Sequence, residues 1–118
     1  MMALLLLYSF SGLLLAAISI PLILQKIGPN AWYGFRVKKT LNDPAVWYPV
    51  NAYAGKRLLV VGIVSSLSAV LLFFVPGVDL TSYALAFAGI VLGGLFVTII
   101  QSVFCLRTFP TKSAPPKE

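Results

Sequence analysis

Charge is what this chain has least of. Of its 118 residues only 10% are charged, against roughly a quarter in an ordinary soluble domain. Three acids are present, Asp43, Asp79 and Glu118, and no histidine at all. Without histidine the chain lacks the commonest general base and the commonest metal ligand together. The single cysteine, Cys105, excludes an internal disulfide. No two acids stand as a pair, and Ser, Thr and Lys alone do not make a nucleophile–base couple. These absences predict no catalytic residues, no metal site and no cofactor, and therefore no enzyme.

What is present in excess is apolar. Hydrophobic residues make up 59% of the sequence. A chain this short has too much surface for its volume to hide them in water, so its solvent is lipid and it forms a single membrane domain over 1–118. The expected fold class is an all-α membrane protein with three transmembrane helices. Spans of about 20 apolar residues are needed, and they are found at about 2–25, 58–75 and 83–106. The first run has no Lys or Arg before it and is longer than a signal-peptide core. It reads as a retained helix, with a cleaved signal as the lesser reading. Pro76-Gly77 is a strong turn signal, so the second and third helices form an antiparallel hairpin. The tail 107–118, RTFPTKSAPPKE, is polar, proline-rich and disordered by composition.

All nine basic residues fall on one side of the membrane once the three spans are laid out. Basic residues near helix ends stay cytoplasmic. The expected topology places the N-terminus outside, and the 26–57 loop and the C-terminus in the cytoplasm, in a multi-pass plasma-membrane protein. Inside the spans no Asp, Glu, Lys, Arg or His occurs, which argues against a pump or coupled transporter. Gly89 and Gly93 form a GxxxG match suited to helix packing, with weaker small-residue matches at Gly12/Ala16 and Gly62/Ser66. They are expected to seat the helices within the chain, or to serve a homo-oligomer.

The polar island is Lys26–Lys56. It holds both tryptophans and three of the five tyrosines. Lys38, Lys39, Lys56 and Arg57 read as anchors to anionic lipid, worth about 1 kcal/mol each near the surface. Arg36, beside aromatics and past Gly34, suits ring stacking or bidentate grip of an anion. Asp43-Pro44 reads as a helix N-cap and first position. Val46, Trp47, Val50 and Tyr53 then share an amphipathic face. Pro49 should split this helix, with a short turn at 44–48 and a new helix from Pro49 running into the membrane. The Asn51 amide either binds the loop's own backbone or a ligand. The basic run is short and carries no nucleic-acid fingerprint, so no nucleic acid is expected as partner.

Asn30, Tyr33-Gly34-Phe35-Arg36, Thr40, Trp47, Asn51 and Gly55 together resemble the signature of the SdpI-like family of small bacterial membrane proteins. The resemblance covers about Lys26 to Cys105. Val37 and Ala52 depart from the residues that often follow the arginine and the second asparagine. The family's founding member is longer, with further spans. The resemblance implies immunity or resistance to a secreted antimicrobial peptide, or membrane signalling through the cytoplasmic-face loop. It implies a peptide toxin or a cytoplasmic regulatory protein as partner, beside the lipid bilayer itself. The other reading is a non-catalytic accessory subunit of a larger membrane complex.

Overall fold

The computed structural model describes residues 2–30 and 34–109. Tyr33, Trp32 and the tail lysines Lys112 and Lys117 lie outside these. The chain forms four helices: α1 (Met2–Ile23), α2 (Lys38–Leu41), α3 (Pro44–Phe73) and α4 (Leu80–Arg107). Three of them, α1, α3 and α4, are long and apolar enough to cross a membrane. The described residues form no strand.

Each boundary has a local cause. α1 ends where Gln25 turns to φ 58°. There Gln25 N–H donates to Leu22 O and Lys26 N–H to Pro21 O, which closes the last turn in a Schellman arrangement. α3 starts as the Asp43-Pro44 pair requires: the Asp43 carboxylate accepts from Ala45 N–H at 3.0 Å, and Pro44 occupies a position where no N–H is needed. The link to α4 turns at Gly77, φ 81°. Asp79 then caps α4 by accepting from Ser82 N–H at 2.8 Å. That hydrogen bonding, from the Ser82 side chain first and its backbone second, holds the Asp79 carboxyl below its ordinary pKa.

Pro49 does not divide α3. The helix runs unbroken from Pro44 to Phe73 with Pro49 inside it. The proline removes one ladder bond, that to the carbonyl of Ala45 four residues earlier. Ala45 is exposed in the first turn, so its carbonyl finds water instead, and the rest of the helix keeps its bonds. Thirty residues make a rod of about 45 Å, where the hydrocarbon core is about 30 Å thick. About a third of α3 is therefore surplus to a membrane crossing.

α3 is the central rod, with α1 and α4 packed on it. Contact with α1 is set by small residues. A Cβ placed on Gly62 would lie 2.6 Å from Gly12 O and 2.7 Å from Ala16 N. One on Gly12 would lie 2.7 Å from Gly62 O. Ser66 Oγ donates to Ser9 O across the same seam at 2.7 Å. Gly89 and Gly93, by contrast, have nothing within 4 Å of an added Cβ. The packing expected of that GxxxG pair within the chain is not made. α4 meets α3 through Gly94 on Val61 instead, because the faces that hide Tyr83, Phe87, Thr98 and Ser102 turn Gly89 and Gly93 away. At the far end Tyr83 Oη donates to Ala69 O at 2.8 Å, and Tyr8 of α1 stacks on Phe87 at 4.1 Å. The three spans are thus joined at that end too.

Candidate functional site

At the opposite end the chain builds a small cap from the loop after α1, from α2 and from the protruding start of α3. Its core is the amphipathic face of α3. Val46, Trp47 and Val50 are at most 2% exposed, and Asn51 is 1% exposed among them. A buried amide must be hydrogen-bonded, and Asn51 is. Its Oδ1 accepts from Phe35 N–H at 2.5 Å. Its Nδ2 donates to Phe35 O at 3.3 Å and to Trp47 O at 3.0 Å. One side chain therefore reads both backbone groups of a residue sixteen positions earlier and holds the loop on the helix.

The neighbouring positions serve the same closure. Gly34 has φ 106°, a region only glycine enters freely. A Cβ there would also stand 2.6 Å from Asn51 Oδ1. Trp47 Nε1 donates to Ile27 O at 2.6 Å, pinning the start of the loop. Thr40 is fully buried. Its hydroxyl accepts from Val37 N–H at 3.0 Å and shares its proton between Phe35 O at 3.0 Å and Val37 O at 2.9 Å. Asn30 Nδ2 donates to Gly28 O at 2.8 Å. Gly55 lets α1 end against α3: a Cβ on it would meet Ile23 at 3.0 Å and Leu22 and Ser19 O at 3.1 Å. Of the residues singled out in the sequence, Asn30, Gly34, Thr40, Trp47 and Asn51 converge on this one hydrogen-bonded cap. Gly55 joins the cap to α1.

The basic residues divide in two. Arg36 and Lys38 are exposed on the cap, and Lys26, Lys56 and Arg57 are exposed near its base. Arg36 Nε donates to Asn30 O at 3.0 Å, so the guanidinium is aimed while it remains at the surface. The Arg57 guanidinium lies over the Tyr53 ring at 5.1 Å. Lys39 is different and corrects the expectation of a free lipid anchor. It is half-buried, and its Nζ donates to Leu106 O at 3.0 Å and to Phe109 O. The last carbonyls of a helix lack partners and carry the negative end of its dipole. Leu106 O already accepts from Phe109 N–H, and the Lys39 ammonium adds a second donor there and sets a positive charge at the negative end of the dipole, so Lys39 ties the cap to the end of α4. Nothing local in the sequence signals this bond, which joins positions 67 and 70 residues apart.

The cap offers no acid–base couple, and no group of three or more metal-ligating side chains occurs among the described residues. What it presents is a basic, outward surface on a hydrogen-bonded backbone. The model of the SdpI/YfhL protein family matches residues 26–106. The chain belongs to the SdpI/YfhL family. No curated protein and no solved structure matches it. In this SdpI/YfhL chain the matched segment begins with the cap and ends with α4. α1 precedes it and is joined to it through Gly12, Gly62 and Gly55.

Proposed function

We propose that this multi-pass SdpI-like protein acts in immunity to a secreted antimicrobial peptide, or in signalling, through the cap on the cytoplasmic face of the plasma membrane. The N-terminus is outside and the C-terminus inside. The observation that carries the reading is the exposed Arg36–Lys38 surface, held by a hydrogen-bonded scaffold whose residues lie within the family match. The described basic residues all belong to the cap, to the start of α3 or to the end of α4, and Asp79 is at the opposite end; this supports the orientation through the positive-inside tendency. The cap sits at the membrane interface, its neighbours being lipid headgroups and either a peptide toxin or a cytoplasmic regulatory protein. The role is binding, not catalysis.

The test is a strain lacking the gene, challenged with the peptide toxins of its producers and complemented with variants. Arg36→Ala should abolish protection while the protein still inserts in the membrane. Full protection by Arg36→Ala, or unchanged sensitivity on deletion, defeats the proposal. A second reading, a non-catalytic accessory subunit of a larger complex or a homo-oligomer, draws on the open face at Gly89. A lone monomer after extraction in a gentle detergent removes it.

A further inference from the structure

A groove of ≈ 340 Å³ runs between α3 and α4 below the cap. Its walls are the apolar side chains of Val60 and Val64 on α3 and Val97 on α4, and Gly93 lines it as well. A Cβ on Gly93 would meet nothing within 4 Å, so the missing side chain is part of what makes the groove. Its composition changes along its length. Arg57 of α3 and Gln101 of α4 line one end, with Thr98 one turn farther along α4, and beyond Thr98 the lining is valine, isoleucine and glycine. This polar end lies where α1 stops against Gly55 and where the apolar run of α3 begins at Leu58. For a helix whose apolar run begins there, that level falls at the boundary between hydrocarbon and headgroup. Arg57 is exposed and braced on the Tyr53 ring, so its guanidinium is held at that level.

We propose that this groove is a specific site for an anionic glycerophospholipid: one acyl chain lies between α3 and α4 across Gly93, and the headgroup phosphate is bound by Arg57 and Gln101. The argument for lipid over another helix is the match of charge and depth. A guanidinium makes two parallel bonds to a phosphate, and Gln101 adds an amide donor beside it. An apolar transmembrane helix of a second copy would bring no anion to that position. The groove is also lined by branched valines on both sides, which suits a flexible chain better than the rigid ridge of a helix.

The experiment uses the full chain in vesicles of phosphatidylcholine containing a trace of photoactivatable phosphatidylglycerol or photoactivatable phosphatidylcholine, each with its reactive group on the acyl chain. Phosphatidylglycerol should label the peptides that carry Val60–Val64 and Gly93–Val97 about fivefold more than phosphatidylcholine does, the contrast set by one basic residue near the surface. Arg57→Gln should erase the difference and Arg57→Lys should retain most of it. Gly93→Leu, whose Cβ would meet nothing within 4 Å, should lower labelling by both probes there while labelling on α1 stays unchanged. Retention of intrinsic Trp emission and of a single sizing peak shows that each variant is folded. Equal labelling by the two lipids, or labelling indifferent to both Arg57→Gln and Gly93→Leu, refutes the site. So does near-complete disulfide formation between copies by Gly93→Cys in a Cys105→Ser background, since a second copy would then fill the groove.

Discussion

Removing the Asn51 amide should release the cap without unfolding the spans. Asn51→Ala deletes the acceptor of Phe35 N–H and the donor to Phe35 O. The third bond, to Trp47 O, is cheaper to lose, because that carbonyl also lies within the helix ladder of α3. An orphaned buried backbone group costs about 1–3 kcal/mol. Phe35 O keeps the Thr40 hydroxyl at 3.0 Å, so the group left without a partner is Phe35 N–H, and the cost is about 2 kcal/mol, the middle of that range. This raises the population of the open loop roughly 30-fold. Trypsin reads that population directly, because Lys26, Arg36, Lys38 and Lys39 all lie in the segment that opens, and cleavage tracks the open fraction when reclosing is fast. In detergent micelles, cutting within 26–39 should therefore speed up roughly 30-fold, while sites at Lys56 and Arg57 stay slow. Asn51→Asp keeps the acceptor, loses both donated bonds and sets a carboxylate against two carbonyls, so at neutral pH it should open at least as fast. Gly34→Ala should also open the loop, since its Cβ would meet Asn51 Oδ1 at 2.6 Å. Combined with Asn51→Ala, its cost should be less than additive, because the clashing atom is gone. A change in the 26–39 cutting rate of less than about threefold in Asn51→Ala would refute the reasoning.

Three further outcomes follow from the packing and the caps. Gly62→Leu should separate α1 from α3 and lower the thermal midpoint in detergent by several degrees, while Gly89→Ala should leave it unchanged; equal effects would contradict the small-residue seam at Gly12 and Gly62. Lys39→Met should fray the end of α4, with amides at 105–109 exchanging several-fold faster for a loss of about 1 kcal/mol, and leave exchange at the start of α4 as it was. Because folding holds the Asp79 carboxyl below its ordinary value, its cap is fully stabilising above about pH 4 and weakens as pH falls through the depressed folded value. Asp79→Asn should remove that acid dependence from amide exchange in the first turn of α4; an unchanged acid profile would show that another group causes it.

How much could be read in advance differs by element. The spans were legible because each must carry about 20 apolar residues whatever its neighbours are. The start of α3 was legible because Asp43-Pro44 acts on its own local backbone. Pro49 misled, since its cost depends on whether one carbonyl is hydrated, and the exposure of Ala45 decides that. The GxxxG pair misled for a related reason: spacing reports that two glycines share a helix face, and the larger residues on the other faces decide which one is buried. The weaker matches at Gly12 and Gly62 prove to be the seam. The role of Asn51 was narrowed by sequence to a backbone or a ligand, and the loop geometry puts it on the backbone of Phe35.

The sequence alone determined that this is a three-span helical membrane protein with one basic end, because lipid solvation and charge act residue by residue without regard to partners. It also determined which loop residues belong together. Only the tertiary structure decided what they do to each other. Asn51 and Thr40 hold Phe35, Lys39 ends α4, and Gly62 rather than Gly93 admits a neighbouring helix. Each of these depends on distances between segments far apart in the chain, and such distances are set by how three rods pack, not by any pattern within one of them.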